Sequence, residues 1–141
     1  MVNKELFELY NIDCVKYSDI SKTGAIPEKI NLCLFTKLQN FQEVIKNPFY
    51  IVKNGLNSGV HSSKSYHFKG LAVDIAFFKD IDWYDVYKAS LEACFKGVGI
   101  YWNGKKHSFH FDCRPEYGFW KAFKKDGIWI YSSLFKDVKK E

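Results

Sequence analysis

The segment from Leu71 to Phe77 constrains the fold more than any other part of the 141-residue chain. Its residues alternate, with Leu71, Val73 and Ile75 on one side, and this period of two predicts a β-strand. The other side carries a single carboxylate, Asp74, between two alanines. A carboxylate inside such a strand needs a partner charge, hydrogen bonds or a metal ion, unless it lies at a sheet edge and faces water. We therefore expect either a functional site or an exposed strand edge at Asp74.

A second segment, from Ser108 to Cys113, has the same alternation and a similar polar side. The pattern places its two phenylalanines on one face and Ser108, His110 and Asp112 on the other. If this strand neighbours the first in one sheet, His110 and Asp74 converge on one cation.

The four histidines all lie between positions 61 and 110, in the same part of the chain as these two strands. His67 follows a serine-rich loop and supplies a third ligand from a flexible approach. Two neutral imidazoles and one carboxylate, with a fourth position open, are a ligand set of catalytic zinc. His67, Asp74 and His110 are therefore a candidate Zn²⁺ site, and Asp112 would hold a ligand or a substrate group by a hydrogen bond.

The rest of the pattern predicts one small α+β domain over residues 1–141, with helices packed on an antiparallel or mixed sheet. Apolar residues at intervals of three and four predict a helix between Pro27 and Pro48. The other expected elements are a strand at 49–52, a helix at about 83–95 that Gly97 ends, and a hairpin at 99–113. We interpret the tail, residues 117–141, as an aromatic packing segment that ends in a frayed terminus.

Composition limits the classes of function. The net charge of +5 favours anionic partners, but 20 of the 21 basic residues are lysines, and specific readers of nucleic acid favour arginine. We therefore expect no nucleic acid as partner, and binding through lysines and aromatic residues is kept only as a third interpretation. Neither a membrane-spanning run nor a secretion signal is found, so we expect synthesis in the cytoplasm and no membrane insertion. The four cysteines form no CxxC pair, which predicts reduced, mostly buried thiols.

The residues around His67 and Asp74 also resemble a family motif. The segment SYHFKGLAVDI, residues 65–75, resembles the SxHxxGxAxDI motif of zinc D-alanyl-D-alanine carboxypeptidases and related peptidoglycan endopeptidases. Residues 57–60 resemble the SGYR turn before that motif, and residues 97–101 and 109–114 resemble the GIGxY and FVHVDxR segments after it. The likeness covers about residues 28–115.

This resemblance implies a hedgehog/D-Ala-D-Ala-peptidase-like fold, shared with vancomycin-resistance dipeptidases and the hedgehog signalling domain. It implies zinc held by His67, Asp74 and His110 in a metallopeptidase that hydrolyses bonds in peptidoglycan stem peptides. A small basic domain without a signal fits, by analogy, a phage or prophage lysis enzyme that acts at the bacterial cell wall. The alternative is a non-enzymatic cell-wall or protein-binding module that retains a structural metal site.

Two positions depart from the family pattern and motivate that alternative. His61 stands where the turn commonly has an arginine that grips a substrate carboxylate, and His107 stands where many relatives have an acidic general base. We expect His107 or Asp112 to act as the catalytic base, although strand alternation directs His107 to the other face unless the strand bulges or begins later. Arg114, His61 and Ser65 are candidate substrate-binding residues, with packing on an aromatic ring as the alternative for Arg114.

Overall fold

The computed structural model describes residues 1–62 and 64–133. Its α-helices are α1 (Lys4–Leu9), α2 (Tyr17–Ile20), α3 (Leu32–Ile45) and α4 (Trp83–Glu92), with short 3₁₀ helices at Ser21–Thr23 and Pro27–Lys29. Its strands are β1 (Phe49–Ile51), β2 (Ala72–Phe77), β3 (Gly97–Trp102), β4 (His107–Asp112), β5 (Gly118–Lys125) and β6 (Ile128–Ser133). Across these ranges, no helix has both the length and the apolar character needed to cross a membrane.

The six strands form one sheet in the order β1-β2-β4-β3-β5-β6. Neighbouring strands are antiparallel except β3 and β5, which are parallel, so the sheet is mixed. The prediction of a small α+β fold with an antiparallel or mixed sheet is confirmed at this level. The two segments with alternating polar faces, now β2 and β4, are neighbours in the sheet.

Helix α3 is shorter than the sequence pattern predicted. Asn31 caps it, because its side chain accepts a hydrogen bond from the backbone N–H of Cys33 at 3.0 Å. Pro27 instead begins a separate 3₁₀ turn, and the extended backbone of Ile30 separates that turn from α3. The helix buries the apolar side that its spacing predicted, and its Phe41 packs 4.8 Å from Phe111 of β4, measured between ring centres.

The two faces of the sheet differ in what covers them. One face, the helix face, packs its apolar side chains in a buried core with α3 and α4; it carries Val73, Ile75, Val98, Phe109 and Phe111. The opposite face, the open face, carries the residues that alternate with these; they are Asp74, Gly97, Gly99, Tyr101, His110, Asp112 and Trp120. The open face therefore carries the polar and ionisable groups of β2 and β4.

The tail of the chain corrects the sequence-based interpretation. Residues 118–133 form a β-hairpin, β5 and β6, rather than an irregular packing segment. Asp126 and Gly127 join the strands and both have positive φ, as a two-residue hairpin turn of type I′ requires. Residues 134–141, where a frayed end was predicted, lie outside the described residues.

Helix α4 and the cysteines also differ from expectation. The helix ends at Glu92 because Cys94 takes the left-handed conformation (φ 72°), while Gly97 begins β3 instead of ending the helix. All four cysteines are free thiols, but Cys94 is exposed and the others are half-buried, so the prediction of mostly buried thiols is wrong. Burial raises the pKa of the Cys14 and Cys113 thiols to about 12.

The packing of α3 on the sheet leads to a stability prediction. Leu38 has no exposed surface, so Leu38→Ala should lower the free energy of unfolding by about 2–5 kcal/mol through lost burial and a cavity. Val44 lies on the same helix and is 42% exposed, so Val44→Ala should change stability by at most about 0.5 kcal/mol. Denaturant unfolding of both variants measures the difference, and equal losses would contradict this packing.

Candidate metal centre

Two strands and one loop bring together the three side chains that the sequence singled out. Asp74 in β2 lies directly opposite His110 in β4, and His67 reaches them from the loop that precedes β2. Asp74 Oδ1 lies 3.0 Å from His110 Nδ1 and 3.4 Å from His67 Nε2. One ligand atom from each residue lies within 4.8 Å of the others, so this group, the metal trio, could hold a metal ion.

Local hydrogen bonds hold the loop that carries His67. The backbone N–H of His67 donates to Ser65 Oγ at 3.1 Å, so the Ser65 side chain organises the turn before the metal trio. The backbone N–H of Asn31, at the start of α3, donates to the carbonyl of Gly70 at 2.9 Å. These bonds hold the segment from Ser65 to Gly70 at both of its ends, and His67 within it is buried.

Both imidazoles of the metal trio have their second nitrogen bound to an acceptor. His67 Nδ1 lies 2.7 Å from the carbonyl oxygen of Leu56, and His110 Nε2 lies 2.7 Å from Asp112 Oδ2. A carbonyl and a carboxylate only accept, so these ring nitrogens carry the hydrogen. In the neutral ring, the nitrogen nearer Asp74 is then unprotonated, which is the tautomer that metal-binding histidines use. The donor set therefore fits a metal ion.

Asp112 links His110 to the only arginine of the chain. Its side chain has no exposed surface and accepts from Arg114 Nε at 2.8 Å, from Arg114 Nη2 at 2.6 Å and from the backbone N–H of Arg114 at 3.1 Å. A Cβ atom at Gly97, the residue opposite, would lie 2.0 Å from Asp112 Oδ1, so only glycine leaves room for this carboxylate. Asp112 thus orients His110, and both carboxylate oxygens of Asp112 already accept hydrogen bonds.

The charges of the site are set by burial and by these hydrogen bonds. Burial opposes ionisation of Asp74, but His110 and His67, which donate to this carboxylate when both nitrogens of their rings are protonated, hold its pKa well below the ordinary value. Burial likewise opposes ionisation of Asp112, while Arg114 and His110 hold its pKa well below the ordinary value. Burial lowers the pKa of His110, but the bonds to Asp112 and Asp74 outweigh it and raise that pKa to about 9. The carboxylates of the buried Asp112 and the half-buried Asp74 therefore draw positive charge to the metal trio.

A cavity of about 510 Å³ opens beside the metal trio, on the open face of the sheet. Tyr101 and Trp120 line it, and Trp120 Nε1 donates to Tyr101 Oη at 2.9 Å. The Trp120 ring centre lies 5.2 Å from that of His110, over Gly99, where a Cβ atom would lie 2.5 Å from the indole. Neither aromatic residue was predicted as a site residue from the sequence. The signal was present in β3, where glycines alternate on the face that continues to Tyr101.

Two further predicted residues lie in the same cavity. His61 stacks on His67 with ring centres 3.9 Å apart, and its Nε2 donates to the carbonyl of Asn54 at 2.9 Å. Arg114 also lines the cavity, but two of its side-chain nitrogens are bound to Asp112. Its guanidinium carbon lies 5.2 Å from the ring centre of Tyr66 and 5.0 Å from that of Trp120. Arg114 thus packs between two aromatic rings at the cavity wall, and its role in substrate binding stays a prediction.

The structure does not bring His107 to the metal trio. Strand β4 begins at His107 and pairs with β3 without a bulge, so the side chain lies on the helix face with Phe109. Its ring lies 4.5 Å from that of Trp102, and its Nδ1 lies 3.7 Å from a carboxylate oxygen of the exposed Asp80. The expected catalytic position of His107 would require a bulge that β4 lacks.

Comparisons of the chain with protein-family models, with curated proteins and with solved structures find no match. The resemblance to the zinc carboxypeptidases therefore rests on the motif residues alone, and the specific hedgehog/D-Ala-D-Ala-peptidase fold stays a prediction.

The bonds among His110, Asp112 and Arg114 predict how metal affinity responds to substitution. Asp112→Asn and Arg114→Met should each weaken Zn²⁺ binding about 10- to 100-fold. The amide of asparagine has one acceptor oxygen and cannot serve both His110 and Arg114, and in Arg114→Met the carboxylate that orients His110 loses its own support. Competition with a chromophoric chelator measures the affinity. Lys88→Met removes a cation from an exposed pair on α4 and should leave affinity unchanged. Unchanged affinity in Asp112→Asn would contradict the positioning role.

Proposed function

We propose that the protein is a zinc-dependent metallopeptidase that hydrolyses peptide bonds in the stem peptides of bacterial peptidoglycan. One observation carries the proposal: two imidazoles and one carboxylate meet at the wall of an open cavity of about 510 Å³. Structural zinc sites use four protein ligands, whereas catalytic sites keep a position for water or substrate. Within residues 1–62 and 64–133, the metal-binding group consists of three side chains.

The donor atoms favour zinc over magnesium and calcium. The metal trio offers two imidazole nitrogens and one carboxylate oxygen. Magnesium and calcium prefer sites built from oxygen ligands, whereas two histidines with one carboxylate are a known set for catalytic zinc. Zinc held by these three residues would supply Lewis acidity, which would polarise a carbonyl group and make a water molecule more acidic.

The side chains around the cavity have separate roles in this proposal. His61 is the proton acceptor: its Nε2–H is donated to the Asn54 carbonyl, so the neutral ring has its lone pair at Nδ1. Burial raises the pKa of Tyr101, so this hydroxyl keeps its proton and can donate to a substrate oxygen. Trp120 covers one side of His110 and limits the access of water there.

The choice of stem peptides as substrate rests on the motif resemblance and on charge. The motif segments of residues 57–75 and 97–114 resemble those of peptidoglycan carboxypeptidases and endopeptidases. The net charge of +5 favours residence near an anionic cell wall. A role in lysis by a phage or prophage belongs to the same proposal.

A second candidate function is a non-enzymatic binding module that uses the metal for structure. One observation favours it: neither sequence-predicted base is free at the cavity. Asp112 is bound to His110 and Arg114, and His107 lies on the helix face.

The experiment that separates the two functions uses the zinc-loaded full chain with synthetic stem pentapeptides and purified sacculi, with products identified by mass spectrometry. We expect cleavage, and His110→Ala should abolish it together with stoichiometric zinc binding. His61→Ala should retain zinc and lower kcat by about 10²–10⁴, the usual contribution of a general base. His107→Ala tests the base predicted from sequence, and its position predicts no loss of cleavage.

Each failure has a distinct meaning. A purified chain that binds no metal would overturn the metal centre itself. A zinc-loaded chain that cleaves neither substrate would overturn the peptidase and leave the binding module as the better function. Full activity in His61→Ala would refute its role as proton acceptor.

A further inference from the structure

The open face continues beyond the metal trio as a row of aromatic rings. Strand register places Tyr101 of β3, Trp120 of β5, and Trp129 and Tyr131 of β6 on this face. We call these four residues the aromatic row.

Contacts within the row hold the rings in place. Tyr101 meets Trp129 edge to face, with ring centres 5.2 Å apart and planes at 89°, and it meets Tyr131 at 6.1 Å and 88°. The hydrogen bond from Trp120 adds a polar link. Tyr101, Trp120 and Trp129 line the same cavity as the metal trio, while Tyr131 is 55% exposed. The row is therefore continuous with the metal centre and extends from it to solvent.

The kinds of ring differ between the two faces. On the helix face, most rings of β3, β4 and β5 are phenylalanines, which have no polar group, and the exceptions are Trp102 and His107 at the end of the β3–β4 hairpin. Each ring of the aromatic row instead carries an N–H or O–H group. Tyrosine and tryptophan suit a surface that contacts a ligand which is apolar on its flat side and polar at its rim. A sugar ring in its chair form has this distribution, with C–H groups on its faces and hydroxyl groups around its edge.

We propose that the aromatic row binds pyranose rings of the N-acetylated glycan strand to which stem peptides are attached. The inference rests on the proposed function and specifies the part of the polymer that the row holds. Stem peptides and glycan belong to one molecule, so a glycan on the row would carry its peptide toward the cavity beside the metal trio.

Charge favours a sugar over a nucleic-acid strand as the occupant. A single-stranded nucleic acid needs a groove of cations along its phosphates in addition to stacking rings. Among the described residues, the cations placed over rings of the row are Lys124, on Trp129, and Arg114, on Trp120. Arg114 is already paired with Asp112. An uncharged N-acetylated sugar needs no such groove.

The test is a titration of the full chain with the tetramer of N-acetylglucosamine, followed by indole fluorescence. We expect a saturable change, and Trp129→Ala and Tyr131→Ala should each weaken binding about tenfold, as loss of a stacking ring at a contact centre does. Ile130→Ala is the matched control: Ile130 lies between these residues on β6, faces the helix side and is 40% exposed. Its affinity should match that of the unmodified chain. Circular dichroism and thermal unfolding check that each variant is folded.

The same titration on His110→Ala separates this inference from the peptidase. Glycan binding without metal and without cleavage would support the row even if the peptidase fails. A missing fluorescence response at millimolar sugar would overturn the inference, as would an equal loss of affinity in Ile130→Ala and Tyr131→Ala. Binding of a twelve-nucleotide oligo-dT in place of the sugar, lost in Trp129→Ala, would also overturn it and assign the row to nucleic acid.

Discussion

The antiparallel pairing of β2 with β4 is the interaction on which the metal centre depends, because it places Asp74 directly opposite His110. Side chains of directly opposed residues lie side by side, so the register alone brings the carboxylate to the imidazole. A slip of β2 by one residue would turn Asp74 toward the helix face, away from His110 and into a core filled by rings such as Phe41 and Phe111. Apolar residues that alternate with the polar ones on both strands oppose that slip. The hydrophobic pattern of the core thus fixes the geometry of the site.

The second requirement is the support of the buried carboxylate that orients His110. Asp112 has no exposed surface, and its stability in that place comes from a bidentate contact with Arg114 together with His110. The chain has 20 lysines and one arginine, and the arginine stands where the planar two-pronged donor is needed. The absence of a side chain at Gly97 provides the space. The single arginine, which contributes little to the net charge, therefore has a specific structural role: it supports the buried carboxylate of Asp112.

Local patterns predicted much of this arrangement but not all of it. Alternation with embedded polar residues identified β2 and β4, and it placed Asp74, His110 and Asp112 on the correct faces. The pattern could not predict that β2 and β4 are neighbours in the sheet. The parallel contact of β3 with β5 joins strands that do not follow each other in the chain, so no local signal predicts that Trp120 covers His110. The Asp-Gly turn of the last hairpin is a local signal, whereas the contact of Arg114 with Trp120 depends on how the chain crosses the end of β3.

That crossing has a thermodynamic consequence. Strands β4 and β5 lie on either side of β3, and the backbone of Lys96 bonds to the end of β4 and to the start of β5. Arg114 lies in the short connection between them, and its contacts reach Asp112 on one side and Trp120 on the other. Arg114 therefore contacts both the residue that orients His110 of the metal trio and a ring of the aromatic row. A cation bound at the trio and a ligand bound at the row would be connected through this one side chain. The two binding equilibria are then linked. If the cation changes the affinity of the aromatic row for its ligand by some factor, that ligand must change the affinity of the metal trio for the cation by the same factor.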